Sequence, residues 1–147
     1  PALREALLHD SRALAEPLVD ALECEVAVLC CGEEITVSRP GAILTDAAFY
    51  HYRAKYSDPL TRTVVPAPLP EAAQAEMRRL AEEAFGVLGC RHLARVDFFF
   101  RKCDGNIFIN EINTLPGMTE RSLWPTLMED CGIPFRDCLT RLIGAAV

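Results

Sequence analysis

Two pairs of polar residues stand on neighbouring apolar segments in the second half of the chain. Arg95 and Asp97 lie in "LARVDFFF", and Glu111 and Asn113 lie in "NIFINEIN". Because side chains alternate along a strand, the members of each pair share one face. Two carboxylates and an amide oxygen form a hard oxygen site of the kind that Mg²⁺ prefers. The spacing therefore indicates a candidate cation site.

The connection "RKCDGN" joins these segments and predicts a β-hairpin, since Asp-Gly is a strong turn signal. A three-residue loop over residues 103–105, with Gly105 in the left-handed conformation, would pair Lys102 with Asn106. Regular alternation from that turn also predicts that Ile107 and Ile109 share a face with the polar pair of the second strand.

In this register Asp97 lies opposite Glu111, and Arg95 lies opposite Asn113. A two-residue turn would shift the pairing by one residue and separate the four side chains. Two directly opposed carboxylates repel each other, so a cation or Arg95 must neutralise them. A second interpretation stays open, in which the two acids are solvated on an exposed strand face and paired with Arg95.

The surrounding sequence predicts the elements that position this hairpin, in an α+β arrangement. Helices are predicted for "ALREALLHD", for the segment that follows Pro70 and ends near Gly89, and for "SLWPTLMEDCG" and "PFRDCLTRLIGAAV". "ALAEPLVD" is predicted to form a short strand ending at Pro17. "ECEVAVLCC" and "ITVSRPGAI" are predicted to form a hairpin whose second strand ends at Pro40 and Gly41. "SDPLTRTVVPAPLP" is predicted to be a long surface loop.

Composition narrows the class of protein. The chain has 147 residues, half of them hydrophobic, and a formal net charge of −6. The size suits one domain with a real core, and the acidic balance argues against a nucleic-acid partner. No signal peptide or transmembrane run is visible, so we expect no membrane partner. The seven cysteines contain no C-x-x-C pair, which disfavours zinc and fits reduced thiols in the cytoplasm.

The polar hairpin also resembles a known family. "ARVDFFF…GNIFINEINTLPGMTERSLWP" resembles the C-terminal part of D-alanine–D-alanine ligases, and "PLVDALECEVAVL", "SRPGAI" and "FYHYRAKY" are similar to further family segments in the same order. The resemblance implies an α+β ATP-grasp fold, incomplete here, with antiparallel sheets flanked by helices. It assigns residues 1–38 to the end of the central ATP-grasp subdomain. It assigns residues 39–147 to the C-terminal subdomain and residues 56–70 to a lid loop.

The resemblance implies a role for each matching residue. Two Mg²⁺ ions, or Mn²⁺ instead, would be held by Asp97, Glu111 and Asn113, with Glu111 bridging, and Arg95 would lie beside the transferred phosphate. The nucleotide groups implied are Glu16, Val19, Glu23 and Lys55; Glu16 stands where the family often has a lysine. Gly117 would contribute its backbone N–H to the oxyanion hole. The second-substrate and lid groups implied are Tyr50, Tyr56, Ser122 and Leu123.

The implied reaction joins two D-alanines at the expense of ATP. ATP phosphorylates the first carboxylate, and the second amine attacks the acyl phosphate, giving a dipeptide for peptidoglycan synthesis. The family also implies a cytoplasmic homodimer formed through an N-terminal domain. The chain reads as a fragment that we expect to be inactive alone, because the family's other phosphate-binding lysines have no counterpart in it.

Three alternatives remain open from the sequence. One is a D-alanine–D-serine or D-alanine–D-lactate ligase of the vancomycin-resistance type, although Lys55 followed by Tyr56 argues against lactate. Another is a non-catalytic ATP-grasp remnant, and the third is an ATP-grasp ligase with a different acceptor.

Overall fold

The computed structural model describes residues 1–44, 62–119 and 122–145. The helices in these ranges are α1 (Ala2–Ala6), α2 (Glu71–Val87), α3 (Leu123–Asp130) and α4 (Phe135–Ala145). The strands are β1 (Ala21–Cys31), β2 (Glu34–Val37), β3 (Gly41–Leu44), β4 (Arg62–Val64), β5 (Leu93–Arg101) and β6 (Ile107–Asn113). None of the helices in these ranges has both the length and the apolar character needed to cross a bilayer.

The strands form one antiparallel sheet in the order β4-β3-β1-β5-β6, with β2 also pairing with β1. β1 is the central strand, and it pairs with β5 from Ala21 opposite Arg101 to Leu29 opposite Leu93. Residues 24–29 of β1 are all buried, because helices cover both faces of the sheet there. The predicted α+β class is confirmed.

Alternate residues of β1 enter two separate cores. Cys24, Val26 and Val28 pack towards α2, where Met77 and Phe85 are buried. Odd-numbered residues of β1 point to the opposite face, where α3 and α4 cover the end beyond residue 26. That second core contains Ala27, Leu29, Ile43, Leu123, Trp124, Leu127, Met128, Ile133 and Cys138. The other end of the same face carries the polar residues described below.

The predicted strand at "ALAEPLVD" is wrong, since residues 11–20 are irregular. Leu14 and Leu18 are exposed there, and Pro17 lacks the N–H that a paired strand needs. The returning strand after β1 is present, but it is interrupted and does not end at Pro40. Ser38 fills the interruption, because its backbone N–H donates to Ala27 O and its Oγ accepts the Ala27 N–H, both at 2.9 Å.

The turn of the second hairpin also differs from its prediction. The Arg101 N–H donates to Asn106 O at 2.9 Å, so the loop has four residues and Lys102 does not pair with Asn106. The left-handed Gly105 is confirmed, with φ of 72°. A bulge in β6 at Asn110 shifts the register back by one residue before the polar pairs are reached.

The bulge changes which face Ile107 occupies. Ile107 and Ile112 both pack against the core under α2, so the predicted grouping of Ile107 with Glu111 is wrong. Ile109 lies opposite Phe98, which belongs to that same core, so its predicted grouping is wrong as well. A one-residue bulge reverses the alternation of every side chain on one side of it.

Part of the predicted surface loop belongs to the sheet. β4 pairs with β3, and Ala67 is buried, with its N–H donating to Pro40 O at 2.6 Å. The remainder of the predicted lid, from residue 56 to 61, lies outside the described residues. The subdomain boundary at residue 38 stays a prediction; β1 and β5 share one sheet.

Candidate active site

Three carboxylates form a row across three adjacent strands. Glu25 of β1 lies opposite Asp97 of β5, and Asp97 lies opposite Glu111 of β6. Arg95 lies opposite Asn113 in the next row of the same face. The structure therefore brings together the four hairpin residues in the predicted pairs, by way of the bulge, and adds Glu25 to them.

Arg95, in the next row of the same face, contacts two of these acids. Its Nε donates to Asp97 Oδ1 at 2.7 Å, and its Nη2 donates to Asp97 Oδ2 at 2.8 Å. Glu25 Oε2 lies 3.1 Å from the same Nε. The side chains of Arg95 and Glu25 are only 8% and 6% exposed, against 14% for Asp97, so water screens their charges poorly.

The ionisation of Arg95 is strengthened by its neighbours. Burial lowers the pKa of the guanidinium, but the hydrogen bond to Asp97 and the charges of Glu25, Asp97 and Glu111 raise it more. The net result is a pKa above the usual arginine value. Arg95 is therefore a fixed cation at this site at any pH at which the protein is folded.

A cavity of about 250 Å³ opens above the row of acids. Its lining contains four carboxylates, an excess of negative charge that a bound cation would offset. The lining residues are Glu23, Cys24, Glu25, Ile43, Asp97, Phe98, Phe99, Asn110 and Glu111.

The segment after β6 forms a tight loop in front of α3. Ser122 Oγ accepts the Thr119 N–H at 3.0 Å and lies 2.9 Å from Thr119 Oγ1. A Cβ added to Gly117 would stand 2.7 Å from that Oγ, so a larger residue at position 117 would displace the serine hydroxyl. The predicted pair of Gly117 and Ser122 is thus brought together.

Helix α3 is fixed to the sheet beside Arg95. The buried Trp124 donates its Nε1–H to Ala94 O at 3.0 Å, and Ala94 directly precedes Arg95. Leu123 is buried in the core beneath α3, where its Cδ1 is one of the atoms nearest to Gly41. The helix that begins after Ser122 and the strand that carries Arg95 are therefore held in one rigid arrangement.

Other predicted site residues are more dispersed. Glu23 is half-buried and lines the cavity, on the same face of β1 as Glu25. Glu16 and Val19 lie in the irregular segment before β1 and do not line the cavity; Glu16 is exposed and Val19 is half-buried. Tyr50, Lys55 and Tyr56 lie outside the described residues, so their predicted roles stay predictions.

Comparisons with known proteins identify the family of this chain. The family described as D-ala D-ala ligase C-terminus matches residues 1–144. The chain belongs to this family. Among curated proteins, the D-alanine–D-alanine ligase of Caldicellulosiruptor bescii is 40% identical over 99% of this chain and 40% of its own length. The corresponding ligase of a Synechococcus species is 43% identical over 96% of this chain and 41% of its own length.

Solved structures of D-Ala ligases share the fold. The D-alanine–D-alanine ligase of Coxiella burnetii matches with a TM-score of 0.81 and 32% identity, over 99% of this chain and 37% of that one. The VanG D-Ala:D-Ser ligase of Enterococcus faecalis matches with a TM-score of 0.83 and 32% identity, over 99% and 42% of the two chains. The predicted ATP-grasp fold is thereby confirmed, and the chain spans about two fifths of the length of these D-Ala ligases.

The candidate ligand side chains suit a hard cation in type and register. Asp97 and Glu111 are directly opposed, and Asn113 is on the same face. In residues 1–44, 62–119 and 122–145, no group of three or more His, Cys, Asp or Glu side chains is placed to hold a metal. A site built from two carboxylates and an amide is of a different kind, in which substrate phosphates and water complete the coordination of Mg²⁺.

Glu25 is the site residue that sequence reasoning missed. The signal was present, because "ECEVAVL" alternates and places Glu23 and Glu25 on one face of β1. Glu25 belongs to the site because β1 pairs with β5. Neither a motif nor residue spacing reveals which strands become neighbours when about 70 residues of chain separate them.

Proposed function

We propose that this chain supplies the C-terminal, phosphate-side part of an ATP-dependent ligase that joins two D-alanines through an acyl phosphate. The observation that carries the proposal is the buried Arg95 beside the opposed acids Asp97 and Glu111, within a chain that belongs to the D-Ala ligase family. A fixed cation next to a cation-binding row is what a transferring phosphoryl group requires. The product would be D-alanyl-D-alanine for peptidoglycan synthesis, made in the cytoplasm.

Each residue then has a task in the reaction. Arg95 would bind oxygens of the transferred phosphoryl group, where negative charge is concentrated. Glu23, at the mouth of the cavity, would accept hydrogen bonds from ribose hydroxyls. Two Mg²⁺ ions, or Mn²⁺, held by Asp97, Glu111 and Asn113 would neutralise phosphate charge when bound. Glu16, Val19 and Lys55 are proposed as further nucleotide contacts.

The second substrate would bind at the loop in front of α3. The Gly117 backbone N–H would stabilise the oxyanion, and the Ser122 hydroxyl would hold the carboxylate of the incoming amino acid, beside Leu123. Tyr50 and Tyr56 are proposed to cover the site and exclude water from the acyl phosphate. The close approach of Gly117 to Ser122 supports the proposal that both residues face the same bound substrate.

A second candidate acceptor is D-serine. The similarity to the VanG D-Ala:D-Ser ligase, with a TM-score of 0.83, favours including it. The acceptor pocket would then have to accommodate one additional hydroxyl, a change that hydrophobic pockets reject weakly.

The test uses a fusion of this chain to the N-terminal region of the Caldicellulosiruptor bescii ligase, because the chain spans 40% of that protein. We expect the fusion to form dipeptide and ADP in equal amounts from ATP and D-alanine. D-Serine and D-lactate are tested in parallel, and an excess of D-alanyl-D-serine would favour the second candidate. A homodimer is expected on sizing, by analogy with the family.

The matched control compares two arginines. Arg95→Lys keeps the charge but loses the bidentate geometry, and we expect it to reduce kcat by at least about tenfold. Arg141→Lys changes an exposed arginine whose only recorded ion pair among the described residues is with Glu34, and we expect no change. A folded fusion that binds ATP but forms neither a dipeptide with D-alanine or D-serine nor an ester with D-lactate would refute the proposal.

A further inference from the structure

Glu25 is a buried acid to which the proposed reaction assigns no role. It is 5% exposed in the central strand of the sheet, where charged residues are rarely fully buried unless they are paired. Its position opposite Asp97 places its Oε2 3.1 Å from Arg95 Nε.

Asp97 would have to bind both Arg95 and the proposed cation. Both of its carboxylate oxygens accept hydrogen bonds from Arg95. A cation bound by Asp97 would share an oxygen with Arg95 and repel its positive charge, which weakens the hydrogen bonds between Arg95 and Asp97. Releasing a buried guanidinium without another acceptor would leave an uncompensated charge in the protein interior.

Glu25 provides a second acceptor for Arg95. Its carboxylate flanks the same Nε on the β1 side, away from β6 and the proposed cation ligands Glu111 and Asn113. It can therefore accept the Nε–H when Asp97 turns towards the cation, and Arg95 keeps its place. The adjacent residue in the Arg95 row of β1 is Ala27, which offers no competing side-chain acceptor.

We propose that Glu25 is a positioning residue that holds Arg95 independently of Asp97, so that Asp97 can exchange Arg95 for a cation. The inference rests on the proposed function for the identity of that cation. Its core claim, that Glu25 can hold Arg95 without Asp97, stands apart from ligation and can be tested without nucleotide or substrate.

The first experiment follows the Arg95 Nε–H in ¹⁵N NMR spectra of the 147-residue chain, assigned by its loss in Arg95→Lys. We expect slow exchange with water in the wild type and in Asp97→Ala, where Glu25 is the one remaining ion-pair partner of Arg95 among the described residues. In Glu25→Asp/Asp97→Ala the charge stays but the carboxylate is one methylene shorter, and exchange should accelerate by about tenfold or more. Glu34→Asp/Asp97→Ala, which shortens an exposed acid of β2 instead, is the control and should behave like Asp97→Ala.

Two results would overturn the inference. One is loss of the protected Nε–H signal in Asp97→Ala itself, which would mean that Glu25 does not hold Arg95. The other is a protected signal in Glu25→Asp/Asp97→Ala, which would mean that another group does. Failure of the ligation assay would affect neither outcome.

A second measurement uses single variants, which avoids dependence on the folding of the double variant. Mn²⁺ affinity is measured by electron paramagnetic resonance for Glu25→Asp and for the control Glu34→Asp on the exposed part of β2, which both preserve charge. We expect about tenfold weaker binding for Glu25→Asp only, because Arg95 then retains Asp97. Equal affinities for the two variants and the wild type would contradict the exchange of partners, whereas absence of Mn²⁺ binding by every chain would count against the proposed cation site instead.

Discussion

Gly117→Ala should destabilise the chain through one specific contact. The new Cβ would stand 2.7 Å from Ser122 Oγ, whereas ordinary contacts begin at 3.4 Å, so one group must move by about 0.7 Å. Gly117 does not have a positive φ, so the cost does not arise from backbone strain. The hydroxyl would move away and lose its contacts with the Thr119 N–H at 3.0 Å and Thr119 Oγ1 at 2.9 Å.

The expected size of the effect follows from these hydrogen bonds. Each contributes about 0.5–1.5 kcal/mol net, and the loop is partly exposed, so we expect a loss of about 1–2 kcal/mol in the free energy of unfolding. In a Ser122→Ala background the hydroxyl is absent, and the new Cβ would meet the Cβ of residue 122 at 3.4 Å, an ordinary contact. Gly117→Ala should then cost less than about 0.5 kcal/mol, within the ordinary range for a surface substitution.

Urea unfolding of the wild type, the two single variants and the double variant measures this coupling as a double-mutant cycle. Gly86→Ala serves as the matched control, because no atom would lie within 4 Å of its Cβ and it occupies an exposed position in α2. That control should stabilise the chain by about 0.5–1 kcal/mol through helix propensity. An equal cost of Gly117→Ala with and without the serine hydroxyl would refute the reasoning, since the steric contact would then not be the cause.

Three further outcomes are expected. Trp124→Phe should lower the free energy of unfolding by about 1–3 kcal/mol in urea, because the buried Ala94 carbonyl loses its donor; no change would mean that water replaces the indole N–H. Burial, with smaller effects of neighbouring acids, raises the pKa of the Cys24 thiol to about 12, so its contribution to stability is present below pH 9 and is lost as the pH rises towards 12. Alkylation at pH 8 should therefore spare Cys24 and modify the exposed Cys103, as mass spectrometry would reveal. A hydrogen bond from its neighbouring arginine lowers the pKa of Asp104 to about 2, so its contribution to stability is present above the ordinary pKa near 3.8 and is lost as the pH falls towards 2; a carboxyl ¹³C titration with an ordinary midpoint would contradict this.

Sequence reasoning succeeded where the signal was local. The long helix α2 follows Pro70 as expected, and Gly89 beyond its end is left-handed with φ of 64°. The polar pairs of β5 and β6 were also predicted correctly. Propensity failed at residues 11–20, where apolar residues at strand-like spacing found no neighbouring strand in the described residues. A strand is defined by its partner, which the segment itself does not encode.

Glu25 illustrates a limit of a different kind. Within its own segment it is one of two acids on one face of a strand, and nothing distinguishes it from Glu23. Its burial and its contact with Arg95 arise from the pairing of β1 with β5, which brings residues 70 positions apart into register. Sequence motifs readily identify residues that contact a ligand. They are less informative about residues, such as Glu25, that position those ligand-contacting side chains.

The register of the second hairpin depends on two irregularities that compensate each other. The four-residue turn moves the pairing by one residue relative to the predicted loop, and the bulge at Asn110 moves it back, so Asp97 still meets Glu111. The spacing of the apolar residues in β6 indicates a bulge, which the prediction of a regular strand did not take into account. Ile107 and Ile112 are an odd number of positions apart, and both pack under α2, which a regular strand does not allow. The apolar residues of β6 therefore require the bulge, and the bulge in turn places Glu111 and Asn113 on the same face as Arg95.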